Sequence, residues 1–211
     1  MSKNYITFIF DDGPREPMCE MVDKIAAYGW SAGFAVVGNS ISDETQSQLE
    51  YAVDKGFELV AHGQTHVSLI SLETKEEIVE EFIRPIIDIK NRIGYDVKTA
   101  RLPYIFYNDL VLETARELKL PLMGSGINGG KDWSSESTPE SITDSVLGSV
   151  VDGAIACMHV TQNTCKALDV ILPELKARDY ELVAPCELFK IKNIDPIPLG
   201  INISNVNKLD I

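Results

Sequence analysis

Two adjacent carboxylates open the chemistry of this chain. Phe10-Asp11-Asp12-Gly13-Pro14 directly follows an apolar run over residues 5–10 that reads as a strand. At a strand's carboxyl end Asp11 and Asp12 repel each other unless a cation or a proton compensates them. Gly13-Pro14 makes a sharp exit turn that keeps the pair near the strand mouth. His62 and His66 form the second motif. The chain has only 3 histidines, and these two are spaced i, i+4. On a helical turn that spacing points both rings the same way and lets them share one divalent ion. They too follow an apolar run, residues 57–61. Arg101 ends the next strand-like run, in Arg101-Leu102-Pro103-Tyr104. Asp132-Trp133 lies in a Gly-rich stretch after the following one. His159 closes another, in Ala156-Cys157-Met158-His159. Taken singly, each motif has a plain reading: a solvated acidic turn, two histidines at chance spacing, a surface cation, a satisfied core histidine. Five motifs at the ends of five strands point instead to one rim of one sheet.

The elements that must position them follow from periodicity. Strands are predicted over 5–10, 32–37, 57–61, 99–103, 120–124, 154–159 and 181–184. Helical patterns cover 18–27, 43–55, 72–93, 108–118, 139–150 and 163–176, with Pro85 inside the third as the place for a kink. Gly29, Gly56 and Gly94 sit just past helix ends, where a left-handed residue is often needed. Strand–helix alternation implies parallel strands joined by helical crossovers. The expected fold is therefore α/β, a distorted (β/α) barrel with about seven parallel strands, whose chemistry gathers at the carboxyl ends of the strands. Residues 1–211 read as a single domain, with an irregular tail from about residue 189.

Composition narrows the partners. The 211 residues carry 19 Lys+Arg against 32 Asp+Glu, a net charge of −13. That argues against nucleic acid and anionic membrane as partners and suits neutral sugars better than anionic polymers. Cys19, Cys157, Cys165 and Cys186 show no paired spacing and read as reduced, buried small hydrophobes. The uncharged run over 25–42 contains Gly29, Gly33, Gly38 and Asn39, too polar to span a bilayer. Met1-Ser-Lys-Asn-Tyr-Ile-Thr-Phe has no basic region followed by a long apolar one, so a cytoplasmic location is expected unless an export segment precedes this sequence. No feature assigns an oligomeric state.

The ordered set of motifs resembles the polysaccharide deacetylase family, the NodB-homology domain or carbohydrate esterase family four. The resemblance runs from Thr7 to about Leu188. It rests on Ile9-Phe10-Asp11-Asp12-Gly13-Pro14, His62-Gly63-Gln64-Thr65-His66, Arg101-Leu102-Pro103-Tyr104, Asp132-Trp133 and Cys157-Met158-His159. It implies hydrolysis of acetyl groups from N-acetylated sugars, or of O-acetyl groups from xylan, with one divalent ion. Zinc is usual, and cobalt, manganese or nickel can replace it. By the same resemblance Asp12, His62 and His66 hold the ion. Asp11 is the general base, and Arg101 keeps it ionised and oriented. The Tyr104 backbone N–H stabilises the oxyanion. His159 is the general acid, oriented and raised in pKa by Asp132, and Trp133 walls the pocket for the acetyl methyl group.

Four positions depart from the family pattern. Gly63 replaces a Ser/Thr whose hydroxyl can support the metal site, and Ile105 stands where Gly is frequent. Cys157 replaces the leucine that faces the tryptophan, which implies a smaller, softer acetyl pocket. Val160 stands where Asp is common. Neither base, acid nor ligand is lost, so an active enzyme is expected. The expected function is deacetylation of an N-acetylated amino sugar in a polysaccharide or oligosaccharide. The alternatives are an O-acetyl esterase on xylan, an amide hydrolase on a small non-sugar substrate, and a barrel that binds sugar or metal without turnover.

Overall fold

The longest strand, β1 (Asn4–Gly13), runs through the middle of the sheet. In chain order follow α1 (Met18–Ala26), β2 (Gly33–Val36), α2 (Gln46–Asp54), β3 (Glu58–Ala61), α3 (Lys75–Ile93), β4 (Ala100–Arg101), α4 (Asp109–Glu117), β5 (Leu122–Met123), β6 (Ile127–Asn128), α5 (Pro139–Ser149), β7 (Ile155–His159), α6 (Gln162–Ala177), β8 (Tyr180–Leu182), α7 (Pro185–Ile191) and β9 (Asn202–Ile203). The computed structural model describes residues 3–124, 127–194 and 202–203.

The strand order is β6-β7-β1-β2-β3-β4-β5-β9, with β8 paired to the first residues of β1. Every strand pairing among the described residues is parallel. β6 and β9 end the order, so the sheet curls into a barrel that stays open between them. All seven expected strands are present. The two-residue strands β6 and β9 and the helix α7 are additions that periodicity did not reveal, because each is too short to show a pattern. Where an irregular tail was expected, residues 189–191 finish α7 and β9 pairs with β5. The rest of the tail lies outside the described residues.

The two faces of β1 explain the layering. Alternate side chains leave a strand on opposite faces. Phe8 and Phe10 pack outward with Met21 and Ile25 of α1 into the larger core. Ile9 points inward, where it meets Ala35, Val60, Met123 and Ile155 together with Leu188 and Phe189 of α7. Burying each such side chain contributes about 1.5–3 kcal/mol. The same alternation continues upward on each strand. Above Ile9 comes Asp11, above Val60 comes His62, and above Ile155 come Cys157 and then His159. An apolar layer thus supports a polar one at the carboxyl rim, as in other closed and nearly closed barrels.

Helix α3 shows how local signals set the ends. Thr74 accepts from the Glu77 N–H in a capping box, and Gly94 ends the helix at φ +71°. The helix runs on through Pro85 without a break in its assignment. The uncharged stretch 25–42 holds the end of α1, all of β2 and a turn. No described helix is long and apolar enough to cross a membrane. All four cysteines are free. Cys157 and Cys165 are buried, while Cys19 and Cys186 are only half-buried, less than the sequence suggested.

Candidate active site

Asp11 and Asp12 lie inside β1 rather than beyond it. In an unbroken strand, neighbours face opposite ways. Here the register against β2 shifts between Phe10 and Gly13, and Asp12 takes φ +67°. That bulge brings both carboxylates to one cavity of about 520 Å³. All ten candidate residues line it: Asp11, Asp12, His62, His66, Arg101, Tyr104, Asp132, Trp133, Cys157 and His159. Backbone strain gathers there too. Of the 8 described non-glycine residues at positive φ, five (Asp12, His66, Tyr104, Ile105 and Lys131) line this cavity. Such conformations persist only where surrounding contacts enforce them.

The two histidines converge by a different route from the helical turn their spacing suggested. His62 follows β3 directly, and His66 sits in a loop at φ +62°. A buried carboxylate holds that loop. Glu81 of α3 accepts from the N–H groups of Gln64 (2.8 Å) and Thr65 (3.0 Å), and its other oxygen accepts from Thr65 Oγ1 (2.7 Å). Gly63 has φ +72°, and a Cβ there would stand 2.9 Å from Glu81 Oε2. Glycine at 63 is therefore what this arrangement requires, rather than simply a lost hydroxyl. Sequence reasoning missed Glu81. The signal was an acid on the buried stripe of α3, beside Ile78, Phe82 and Pro85.

His62 Nδ1 lies 2.9 Å from the Arg101 carbonyl oxygen. A carbonyl only accepts, so Nδ1 carries the proton and Nε2 keeps its lone pair. Burial lowers the His62 pKa and favours that neutral ring. Asp12 Oδ1 stands 3.7 Å from His62 Nε2 and 3.2 Å from His66 Nε2. This oxygen is buried with no hydrogen-bond donor. Burial alone would raise the Asp12 pKa, but the close approach of the His66 imidazole and the other histidines around it hold it at about 2. The ligand atoms of Asp12, His62 and His66 lie within 4.8 Å of one another. Two imidazole nitrogens and one carboxylate oxygen without a donor form a donor set suited to a divalent cation.

Asp11 belongs to a separate, drier group. Asp11 is 4% exposed and Arg101 only 1%. Arg101 Nε donates to Asp11 Oδ2 (2.8 Å), Nη1 to the Gly124 carbonyl (2.5 Å) and Nη2 to Cys157 Sγ (2.7 Å). Burial pushes the Asp11 pKa up, but the charge and hydrogen bond of Arg101, with the charge of His159, outweigh it and leave the carboxyl below its ordinary value. The Cys157 thiol, raised by burial and by the Asp11 charge, keeps its proton. It lies 3.1 Å from Asp11 Oδ2. Cys157 thus lines the cavity as expected, but its sulfur is engaged with Asp11 and Arg101.

His159 faces this group across the strand pairing, since Asp11 and His159 are register partners. Asp132 fixes it twice, accepting from the backbone N–H (2.5 Å) and from Nδ1 (2.8 Å). Thr164 of α6 donates to the same Asp132 carboxylate (2.8 Å). Burial opposes a charge on His159, but the Asp132 hydrogen bond and the charges of Asp11, Asp132 and Asp12 raise its pKa above 6.5. At the mouth stand Trp133 (66% exposed) and Tyr104 (57% exposed), the latter 5.0 Å from the His66 ring. Phe106, unmarked by sequence reasoning, is exposed and lines the same cavity.

A curled parallel sheet carries an Asp-His-His cluster at its strand ends, flanked by an Asp–Arg pair and an Asp–His pair, where parallel α/β sheets place their sites. Residues 1–123 match the family model for polysaccharide deacetylase, and the chain belongs to that family. It is 31% identical over 203 residues to a bifunctional xylanase/deacetylase of Pseudobutyrivibrio xylanivorans, covering 92% of this chain and 32% of that protein. The chain thus spans about a third of that relative's length. It is 28% identical to a peptidoglycan-N-acetylglucosamine deacetylase of Bacillus cereus, covering 91% of each. Among solved structures, a family 4 acetyl xylan esterase of Clostridium thermocellum in complex with a cobalt ion aligns with a TM-score of 0.88 at 27% identity. That match covers 96% of this chain and 98% of the other.

Proposed function

We propose that this chain is a metal-dependent deacetylase that hydrolyses acetyl groups from N-acetylated amino sugars in a polysaccharide or oligosaccharide. The observation that carries the reading is the donorless Asp12 Oδ1 between two imidazole nitrogens, with Asp11 beside it and His159 opposite. Asp12, His62 and His66 would hold one divalent ion, zinc in the first instance, with cobalt, manganese or nickel as replacements. When bound there, such an ion supplies Lewis acidity that polarises the acetyl carbonyl and makes water easier to deprotonate.

The chain's own residues do the rest. Asp11 takes the proton from water as its oxygen bonds the acetyl carbon. Its partner Arg101 cannot lose a proton, so Asp11 stays a carboxylate next to Asp12. The Tyr104 backbone N–H serves the developing oxyanion. His159 gives its proton to the sugar nitrogen as the carbon–nitrogen bond breaks, releasing acetate and a free amine. Asp132 keeps His159 protonated and aimed. Exposed aromatic faces at Tyr104, Phe106 and Trp133 offer amphipathic surfaces for sugar rings and the acetyl methyl.

A second reading, an O-acetyl esterase on xylan, uses the same residues in the same roles. The names of the Pseudobutyrivibrio and Clostridium relatives favour it. Acetate release from N-acetylated chito-oligosaccharides and from acetylated xylan, measured side by side on the metal-loaded protein, separates the two. Release from the chito-oligosaccharide supports the first, release from xylan alone supports the second, and release from neither contradicts both.

A further inference from the structure

We infer that Cys157 is a positioning residue for Asp11, closing a buried ring of hydrogen bonds with Arg101 that leaves Oδ1 as the carboxylate oxygen free to take a proton. The inference rests on the deacetylase reading and goes beyond it, because the family pattern places an apolar leucine here. Sulfur fills two roles that leucine cannot. It accepts from Arg101 Nη2 at 2.7 Å and donates its own proton to Asp11 Oδ2 at 3.1 Å. Arg101 Nε donates to that same oxygen at 2.8 Å, so three side chains form a closed circuit. The other Arg101 donor, Nη1, is spent on the Gly124 and Met123 carbonyls.

The strands enforce this placement. Ile9 pairs with Cys157 and Asp11 with His159, so the side chain at 157 sits on the inner face one step below the base. Asp11 Oδ1 is buried and has no donor. With Oδ2 held from two directions, the carboxylate cannot turn to exchange its oxygens without breaking both contacts. Removing the sulfur leaves Arg101 Nη2 a buried donor without its partner and leaves Asp11 held from one side only. A misplacement of about 1 Å at a reacting group can cost about 100-fold in rate.

The test compares Cys157→Ala and Cys157→Ser. The alanine variant is expected to lose about tenfold or more in kcat with KM within about twofold of wild type, the pattern of a contact that matters in the transition state. Its zinc affinity, read by titration, should not change. Serine can accept and donate at the same place and should recover kcat to within about threefold of wild type. An alanine variant with wild-type kcat, or a serine variant no better than alanine, overturns the inference. A second measurement needs no turnover. The infrared S–H stretch of Cys157, assigned by its loss in Cys157→Ser, should move to higher frequency in Asp11→Ala as the hydrogen bond is lost. An unmoved band overturns the inference even if the alanine variant does not fold. Wild-type protein that releases no acetate from any acetylated sugar contradicts the proposed function, and the infrared measurement still decides the ring.

Discussion

Two carboxylate–cation pairs flank the Asp-His-His cluster, and the proposed function gives them opposite jobs. Asp11 with Arg101 lies almost wholly buried, while Asp132 with His159 leaves a fifth of the histidine side chain exposed. The contact distances are the same, 2.8 Å in each. What differs is which partner can lose a proton. Arginine cannot, so its carboxylate is held ionised, as the base of the proposed reaction must be. Histidine can, so its carboxylate favours a proton on the imidazole, as the acid of the proposed reaction must have. One type of contact, with one change of cation, would thus supply both halves of the proposed acid–base site.

Asp11→Asn removes the proposed base and should lower acetate release about 1,000-fold or more on any acetylated substrate, with the fold intact by circular dichroism. His159→Ala should cost about 100-fold or more on an amide, whose leaving nitrogen must be protonated. On an aryl acetate, whose leaving group departs as an anion, it should cost far less. Equal losses for the two variants on the aryl acetate would break the distinction between the pairs. Glu81→Gln disturbs the loop that carries His66 and should weaken metal affinity about 10-fold to 100-fold, measured by titration.

Asp132→Asn gives the smallest effect and the sharpest test of sign. The His159 pKa is raised, so the alkaline limb of kcat should lie above pH 6.5 in wild type and move to lower pH in the variant. Stability follows the same proton. A raised folded-state pKa contributes stability in full below about pH 6.5, the ordinary histidine value, and loses it as pH rises through the folded value. The gap in Tm between wild type and Asp132→Asn should therefore be widest in mild acid and narrow at alkaline pH. A gap that widens with pH contradicts the assignment.

Much of this was legible in sequence, for physical reasons that also explain the misses. The candidate residues sit at or near strand ends, and the apolar runs that carry them are visible even where the strand itself is as short as β4. Hence Asp11, His62, Arg101 and His159 could be placed on one rim before any coordinates. The bulge at Asp12 was not legible, because a one-residue register shift leaves no periodic trace. Nor was the loop between His62 and His66, whose spacing mimics a helical turn while its shape comes from Glu81, 15 residues after His66 in the sequence. Cys157 was readable as a pocket wall but not as a hydrogen-bond partner, since that role depends on the register between β1 and β7.

Whether Asp12, His62 and His66 together hold one ion is decided by a zinc titration of wild type and single variants, followed by calorimetry on the metal-free protein. The account predicts one tight site per chain in wild type, its loss in Asp12→Ala, His62→Ala and His66→Ala, and its retention in Asp11→Asn. A wild-type chain without a stoichiometric site, or an Asp12→Ala variant that binds as tightly as wild type, would contradict it.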